Sequence, residues 1–160
     1  MMTPLQTHSD VTKILILHGP NLPLLGKVSA NTASRLTLNK IDTALRRQAR
    51  SLGIELKIWQ FYDEARLLKT ISRGRREYRG VLISPGSLCR SCYALRELLA
   101  ILRLPVVEIH LAEFPFAEED RRVSVLQDVV CRQIVLPGLA AYQEGLEQLI
   151  AVINRENGGR

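Results

Sequence analysis

Short apolar runs alternate with segments of helical periodicity along most of the chain, and this alternation constrains the fold more than any other feature. Runs with the length and composition of strands lie at 13–17, 54–61, 80–83, 105–111 and 132–136. Apolar residues recur at helical spacing over 37–52, 63–75, 93–102 and 139–153. Strands that alternate with helices in this way predict an α/β protein in which a parallel five-stranded sheet is covered on both faces.

The chain length bounds the domain organisation. A chain of 160 residues fits one domain with one core. We expect that domain to span 13–153, with a flexible tail over 1–12 and a loose tail over 154–160. No apolar run reaches the roughly 20 residues of a membrane-spanning helix, and the first residues lack the apolar segment of a signal peptide. These features predict a soluble, cytoplasmic protein.

The net charge of +6 comes from 22 Lys and Arg against 16 Asp and Glu. Basic residues cluster at 46–47, 73–76 and 121–122, but aromatic residues are not interleaved with them and no nucleic-acid motif is present. This pattern does not favour a nucleic-acid partner. Solvated helix faces and sites for small anions explain it more simply.

The segment after the first strand is the best candidate for a site wall. It has the sequence HGPNLPLLG at 18–26. A buried strand that ends in such a loop places polar groups at the carboxyl edge of a parallel sheet, where open α/β folds bind their ligands. A ligand site is therefore expected at this edge.

The same segment resembles the first-strand signature of the type II 3-dehydroquinate dehydratases, which reads GPNL, one variable residue, then LLG. Further stretches similar to that family are GVLISPG at 80–86, ALRE at 94–97 and PVVEIHL at 105–111. The resemblance covers about 13–153. It implies a flavodoxin-like three-layer fold, dehydration of 3-dehydroquinate without a cofactor or metal, and a homo-oligomer, either a trimer or a dodecamer of trimers.

The family reaction removes a carbon-bound proton, passes through an enolate and expels a hydroxyl group as water, so it requires a base, enolate stabilisation and an acid. The resemblance makes His110 the proton donor and Glu108 the carboxylate that orients it. It makes Asn21 the residue that holds the water polarising the enolate. Glu108 and His110 share a strand face because side chains alternate along a strand. We expect the acid half of the chemistry to be kept.

The lid after the first loop departs from the family pattern. Counting from Gly26, the family's lid arginine falls on Val28 and its catalytic tyrosine on Ala33, and neither side chain carries a charge or a titratable proton. Loss of a general base usually lowers the rate by roughly a hundred to ten thousand fold. The sequence thus predicts a divergent paralogue with little or no dehydratase activity. The alternative is an active dehydratase with a relocated base or lid charge, for which the candidates are Tyr62, Tyr93, Lys27 and Arg35.

The substrate positions are only partly kept. Ser84 stands where the family has a substrate asparagine, Arg90 where it has a histidine, and Ala112 where it has a serine. Backbone amides of Leu111 and Ala112 are expected to bind a carboxylate, since an amide donates whatever its side chain.

Two charged positions complete the binding set that the resemblance implies. Arg121 matches the family's substrate arginine and suits bidentate hydrogen bonds to a carboxylate or to vicinal hydroxyl oxygens. Glu97 matches an aspartate that reaches into the neighbouring subunit's site. Together these positions predict a small polyhydroxy carboxylate, such as a quinate- or shikimate-like acid, as the ligand.

A Cys-x-x-Cys motif offers a separate hypothesis. Cys89 and Cys92 lie at the predicted start of a helix, and both the helix N-terminus and Arg90 favour a thiolate, which predicts redox or metal chemistry. His110 is the one histidine expected nearby, so the two cysteines and this histidine would leave a zinc site one ligand short. The odd total of three cysteines argues against a disulfide framework.

Overall fold

A computed structural model of the protein describes residues 11–27 and 35–159. The strands are β1 (Lys13–His18), β2 (Glu55–Gln60), β3 (Gly80–Ser84), β4 (Val106–Leu111) and β5 (Arg132–Leu136). The helices are α1 (Leu38–Leu52), α2 (Glu64–Gly74), α3 (Tyr93–Leu102), α4 (Ala117–Val123) and α5 (Gly138–Gly158). All strand pairs are parallel, in the order β2-β1-β3-β4-β5. This is the flavodoxin-like strand order, so the predicted fold class is confirmed.

The sheet divides the core into two layers, because successive side chains of a strand point to opposite faces. Ile14 and Ile16 of β1 pack with α1 and α5 on one face. Leu15 and Leu17 pack with α2 and α3 on the other. The same alternation sends Ser84 of β3 toward α5, and Glu108 and His110 of β4 toward the opposite layer. The two faces therefore deliver different polar groups to the carboxyl edge of the sheet.

The ends of several helices follow from local sequence. The Thr37 side chain accepts from the Lys40 amide at the start of α1, and Asp63 accepts from the Arg66 amide at the start of α2. Gly53 ends α1 with a φ of 67°, a left-handed conformation that glycine adopts without steric cost.

The structure corrects two details of the sequence reading. Helix α5 continues to Gly158, so residues 154–158 are helical, whereas the sequence predicted a loose tail there. Helix α4 was not predicted, because its sequence AEEDRRV is polar and too short to show an apolar period. No helix within 11–27 or 35–159 is long and apolar enough to cross a membrane.

Close contact between the loops after β1 and β3 builds the floor of the site. The Gly19 amide donates to the Ser84 carbonyl at 2.8 Å. A Cβ atom at Gly19 would collide with the carbonyl oxygens of Ser84 and Pro85, so only glycine fits here. These loops flank the point where the strand order reverses, which is where this fold class binds ligands.

Candidate active site

A cleft of about 350 Å³ lies at the carboxyl ends of β1, β3 and β4. Its polar side chains include Asn21, Ser84 and His110, and Phe114 and Phe116 form an apolar wall. The lining comes from the loop after β1 (20–22), the end of β3 and the next turn (Ser84, Gly86, Ser87), the end of β4 and the loop after it (109–111 and 114–117), and Asp120 of α4. The predicted site wall is therefore part of a real concavity.

His110 and Glu108 form a buried pair at the base of this cleft. The Nε2–H of His110 donates to Oε1 of Glu108 at 2.7 Å, and the two residues are 3% and 0% exposed. A carboxylate only accepts hydrogen bonds, so this contact fixes the imidazole tautomer and leaves Nδ1 as the ring nitrogen available to a ligand. Nδ1 accepts from a ligand when the ring is neutral and donates to it only when the ring is protonated, so this nitrogen is placed to exchange a proton with a ligand.

Other side chains hold Glu108 in place. The Ser124 hydroxyl donates to Oε2 of Glu108 at 3.0 Å, and the Gln133 amide donates to the same oxygen at 3.3 Å. Both carboxylate oxygens therefore have partners, as a fully buried carboxylate requires. Neither Ser124 nor Gln133 was found from the sequence, since each lies far from Glu108 in the chain.

Cys89 completes this buried cluster. Ligand atoms of Cys89, Glu108 and His110 lie within 4.8 Å of one another. Burial first, and then the charges of Glu108 and Asp120, raise the pKa of the Cys89 thiol to about 12, and burial also raises the pKa of Cys92. The prediction of a thiolate at Cys89 is therefore wrong: desolvation and two carboxylates outweigh Arg90. With the thiol protonated and both Glu108 oxygens occupied, the cluster is arranged as a hydrogen-bonded network.

This raised pKa predicts a loss of stability at alkaline pH. In the unfolded chain the thiol ionises near pH 9, whereas in the folded protein it stays protonated to about pH 12. The free energy of unfolding should then fall as pH rises between these values, by up to about 1.4 kcal/mol per pH unit from this group. Urea titrations above pH 8 should show a shallower decline for Cys89→Ser than for wild type. An identical decline in the two proteins, with Cys131→Ser as the control for removal of a thiol, would contradict the prediction.

Arg90 lies beside the cleft in an ion-pair network. Its Nε donates to Oδ1 of Asp120 at 2.6 Å, and a terminal nitrogen lies 3.4 Å from Glu119. The hydrogen bond to Asp120 raises the pKa of Arg90. Asp120 lines the cleft but Arg90 does not, so the side chain that the sequence placed against substrate is turned toward acidic residues of α4.

A second polar network lies on the other face of the sheet. His18 Nε2 is 2.7 Å from Oδ1 of Asp42, and His18 Nδ1 is 2.6 Å from the Tyr142 hydroxyl. Tyr142 is 0% exposed. The sequence left His18 between a ligand contact and a structural role; the structure gives it buried hydrogen bonds to two elements.

Asn21 stands at the mouth of the cleft. It has a φ of 68°, in the left-handed region that asparagine tolerates better than most residues. Asn21 is exposed and lines the cleft. An amide at this position can orient a water or a ligand oxygen.

Comparison with known proteins agrees with this geometry. The sequence model described as Dehydroquinase class II matches residues 12–150. The chain belongs to the class II dehydroquinase family. It is 35% identical over 146 residues to the 3-dehydroquinate dehydratase of Synechocystis sp., covering 91% of this chain and 96% of the relative. It is 36% identical over 137 residues to the Bacillus subtilis enzyme of the same name, covering 86% and 93%.

Solved structures of other proteins have the same fold as this chain. A type II dehydroquinase from Butyrivibrio crossotus superposes with a TM-score of 0.77 at 28% identity, covering 87% of this chain and 97% of the other. That from Propionibacterium acnes gives a TM-score of 0.74 at 26% identity, with 89% and 97% covered. The resemblance seen in the sequence is thus confirmed at the level of the family.

The structure brings together only part of the dehydroquinase set inferred from the sequence. His110, Asn21, Ser84 and Leu111 line the cleft. The Ala112 amide donates to the Leu136 carbonyl at 2.9 Å. This bond within the sheet counts against a role for that amide in binding a carboxylate. The two lid positions, Val28 and Ala33, lie outside the described residues.

Arg121 and Glu97 do not line the cleft. The Arg121 guanidinium forms two hydrogen bonds with Glu118. This pairing is the main reason that the pKa of Arg121 is raised, with a smaller contribution from Glu108. Glu97 is exposed on α3, away from the cleft. The contact between His110 and Glu108 was thus predicted from the sequence, whereas the structure pairs Arg121 with Glu118 outside the cleft.

Proposed function

We propose that this dehydroquinase-like protein binds a small cyclic polyhydroxy carboxylate, such as 3-dehydroquinate or a quinate- or shikimate-like acid, and dehydrates 3-dehydroquinate slowly or not at all. The observation that carries the proposal is the buried His110–Glu108 pair in the cleft, combined with lid positions Val28 and Ala33 that offer neither base nor charge. In this proposal the protein keeps the acid of the elimination reaction and lacks the family's base.

The lining of the cleft supports a ligand of this kind. Ring carbons can pack against Phe114 and Phe116, while ring hydroxyl groups meet Asn21, Ser84 and His110. Apolar walls with a few fixed polar groups are typical of small-molecule sites. No Lys or Arg is among the described residues that line the cleft.

To bind the carboxylate of the ligand, the protein therefore needs an arginine from outside the cleft lining. Arg121 fits this role, because its present partner Glu118 is exposed and exposed ion pairs contribute little to stability. Exchange of Glu118 for a ligand carboxylate would preserve the bidentate hydrogen bonding of the guanidinium. Arg121 is thus proposed as the carboxylate-binding residue of the ligand-bound state.

The second candidate function is an active dehydratase with a relocated base. Tyr62 and Tyr93 are each 63% exposed and lie outside the cleft lining, which counts against both. Lys27 lines a neighbouring pocket, and Arg35 is an exposed residue outside the cleft. Ser84 remains, since it lines the cleft.

A thiol role is the third hypothesis, and the structure gives it least support. Both cysteines of the motif are fully buried, and the pKa of each thiol is raised. Reactive cysteines need an exposed, electropositive setting that lowers the pKa.

We further propose a homo-oligomer, as the family resemblance implies, and a cytoplasmic location. Helix α3 supports an interface, because Tyr93 and Ile101 are 63% and 68% exposed and Glu97 lies on the same helix. Glu97 does not line the active-site cleft of its own subunit, so any contact with a ligand in that kind of site would be made in a neighbouring subunit. Sedimentation equilibrium of the full chain measures the assembly directly.

Calorimetric titration with quinate and with 3-dehydroquinate tests the binding proposal. Ser87 is an exposed residue of the cleft lining, so Ser87→Trp should fill the cleft and weaken binding by at least about tenfold, the effect of losing about 1.4 kcal/mol. Ser51→Trp, on the exposed end of α1 near the opposite edge of the sheet, is the matched control and should bind like wild type. Absence of binding by the wild type, or equal binding by Ser87→Trp, would contradict the proposal.

A further inference from the structure

Asp120 is the one carboxylate that lines the active-site cleft among residues 11–27 and 35–159. It belongs to α4 and is 8% exposed. The same part of the chain contributes no Lys or Arg to the cleft lining. Because the ligand proposed for this cleft is an anion, a carboxylate in the wall repels the charged group of that ligand and suits a different part of it.

Arg90 compensates the charge of Asp120 from outside the cleft lining. Its Nε donates to Oδ1 of Asp120 at 2.6 Å, and a terminal nitrogen lies 3.4 Å from Oε1 of Glu119. A largely buried carboxylate is destabilising unless it is paired and hydrogen-bonded. The guanidinium therefore allows a carboxylate in the wall of the cleft and fixes the direction of that carboxylate.

The second carboxylate oxygen of Asp120 is available to a ligand. An ionised carboxylate accepts hydrogen bonds through both oxygens, and Arg90 occupies Oδ1. Within the described part of the chain Oδ2 accepts no hydrogen bond, and it is not sealed from solvent, since the side chain keeps 11% exposure. A hydroxyl group can donate to this oxygen in a short charge-assisted hydrogen bond, whereas a second carboxylate is repelled.

The backbone around Asp120 is fixed by contacts with the turn that carries Arg90, residues 86–90. Cys89 Sγ donates to the Asp120 carbonyl at 3.4 Å, and the Val125 amide donates to the Cys89 carbonyl at 2.8 Å. Helix α4 is thus tied to this turn before and after Asp120 is followed by the rest of the helix. The carboxylate and the guanidinium are therefore placed before a ligand arrives, which lowers the cost of binding.

We propose that Asp120 is a specificity-determining residue that accepts a hydrogen bond from a ring hydroxyl group of the ligand, and that Arg90 is the positioning residue that holds it. This inference rests on the proposed function and deepens it. The cleft selects polyhydroxy acids over carboxylates whose ring lacks a hydroxyl group at that place. It also orients the ligand, because the hydroxyl group turns toward Asp120 and the ligand's own carboxylate is kept away from it.

Calorimetric titration with quinate and with its analogues that each lack one ring hydroxyl group tests this assignment. Wild type should bind at least one analogue about tenfold or more weakly than quinate, the usual effect of losing a hydrogen bond to a charged group. In Asp120→Ala that penalty should disappear, so that the same analogue and quinate bind within about twofold of each other. All these probes carry the same charge, so the ratio of their affinities does not respond to the charge removed from the cleft.

A probe without ring hydroxyl groups separates a ligand contact from a structural effect. Cyclohexanecarboxylate carries the charge of quinate and none of its hydroxyl groups. Asp120→Ala removes a like charge, so this anion should bind the variant at least as tightly as it binds wild type. Asp120→Asn keeps the shape of the side chain and weakens the acceptor, so its penalty should lie between those of wild type and Asp120→Ala. It also covers the case in which Asp120→Ala does not fold.

Variants of Arg90 test the positioning role by the same ratio of affinities. Arg90→Ala should reduce the penalty for the deoxy analogue, because the acceptor is no longer held, and Arg90→Lys should restore part of it. Arg90→Ala combined with Asp120→Ala should give the ratio of Asp120→Ala alone. Glu119→Ala is the matched control, since Glu119 is the other, exposed partner of Arg90 and lies outside the cleft lining. It should keep the wild-type ratio.

Three results would overturn the role of Asp120: no penalty for any analogue in wild type, the same penalties in Asp120→Ala as in wild type, or equal weakening of quinate and cyclohexanecarboxylate by that variant. A wild-type ratio in Arg90→Ala would overturn the positioning role of Arg90. No binding of quinate by wild type overturns this inference, and no binding of 3-dehydroquinate either overturns the proposed function as well. The two failures are therefore distinguishable.

Discussion

The double substitution Val28→Arg with Ala33→Tyr is expected to raise the conversion of 3-dehydroquinate by roughly a hundred to ten thousand fold, the usual contribution of a general base. Both positions follow Gly26 in the segment where the family resemblance implies a lid with an arginine and a catalytic tyrosine. The His110–Glu108 pair, proposed as the proton donor, is already in contact, so the proposal requires only the added base. Ultraviolet absorbance of the conjugated product measures the gain.

The matched control for this gain adds the same two residue types at neighbouring lid positions, as Ser29→Arg with Ser34→Tyr. It should leave the rate at the wild-type level, since a base one position away is misdirected. Equal rates in the two double variants, or no gain in the first, would mean that altered substrate contacts limit the reaction as well.

Glu108→Ala should lower the free energy of unfolding by about 3–5 kcal/mol, because it leaves buried hydrogen-bond donors without an acceptor and opens a cavity. Glu108 is 0% exposed and accepts hydrogen bonds from His110, Ser124 and Gln133, all of which lose their partner in the variant. Glu108→Gln keeps the shape and should be less damaging. Urea unfolding with an unchanged m-value measures the effect.

An exposed carboxylate provides the comparison. Glu118→Ala removes a carboxylate from the surface of α4, where its partner Arg121 can turn to water. Its unfolding midpoint should stay close to that of wild type. If Glu108→Ala is no more destabilising than Glu118→Ala, the buried network does not hold the acid pair in the way described.

Much of the fold was predictable because its central strands are mostly apolar and are buried on both faces. Strands β3 and β4 are buried at every position, and such continuous runs are typical of parallel sheets. Helix α4 was not predicted because a polar seven-residue helix has no periodic apolar residues. The end of α5 was placed near Ile153 because the apolar period stops there, although the backbone stays helical to Gly158.

The site was predictable only where function follows local spacing. Glu108 and His110 lie two residues apart on one strand, so their contact follows from the strand period. His18 and Tyr142 are 124 positions apart, and no local pattern announces a hydrogen bond between them. Arg90 was expected to face substrate, but Asp120, which folding brings beside it, competes for its guanidinium.

Steady-state conversion of 3-dehydroquinate by the wild-type protein, beside the Bacillus subtilis relative and a His110→Ala variant, tests the central claim most directly. The account predicts that the wild type binds 3-dehydroquinate yet converts it at least about a hundredfold more slowly than the relative, as expected for an enzyme that lacks the family's lid base. Turnover equal to that of the relative and lost in His110→Ala would contradict the account.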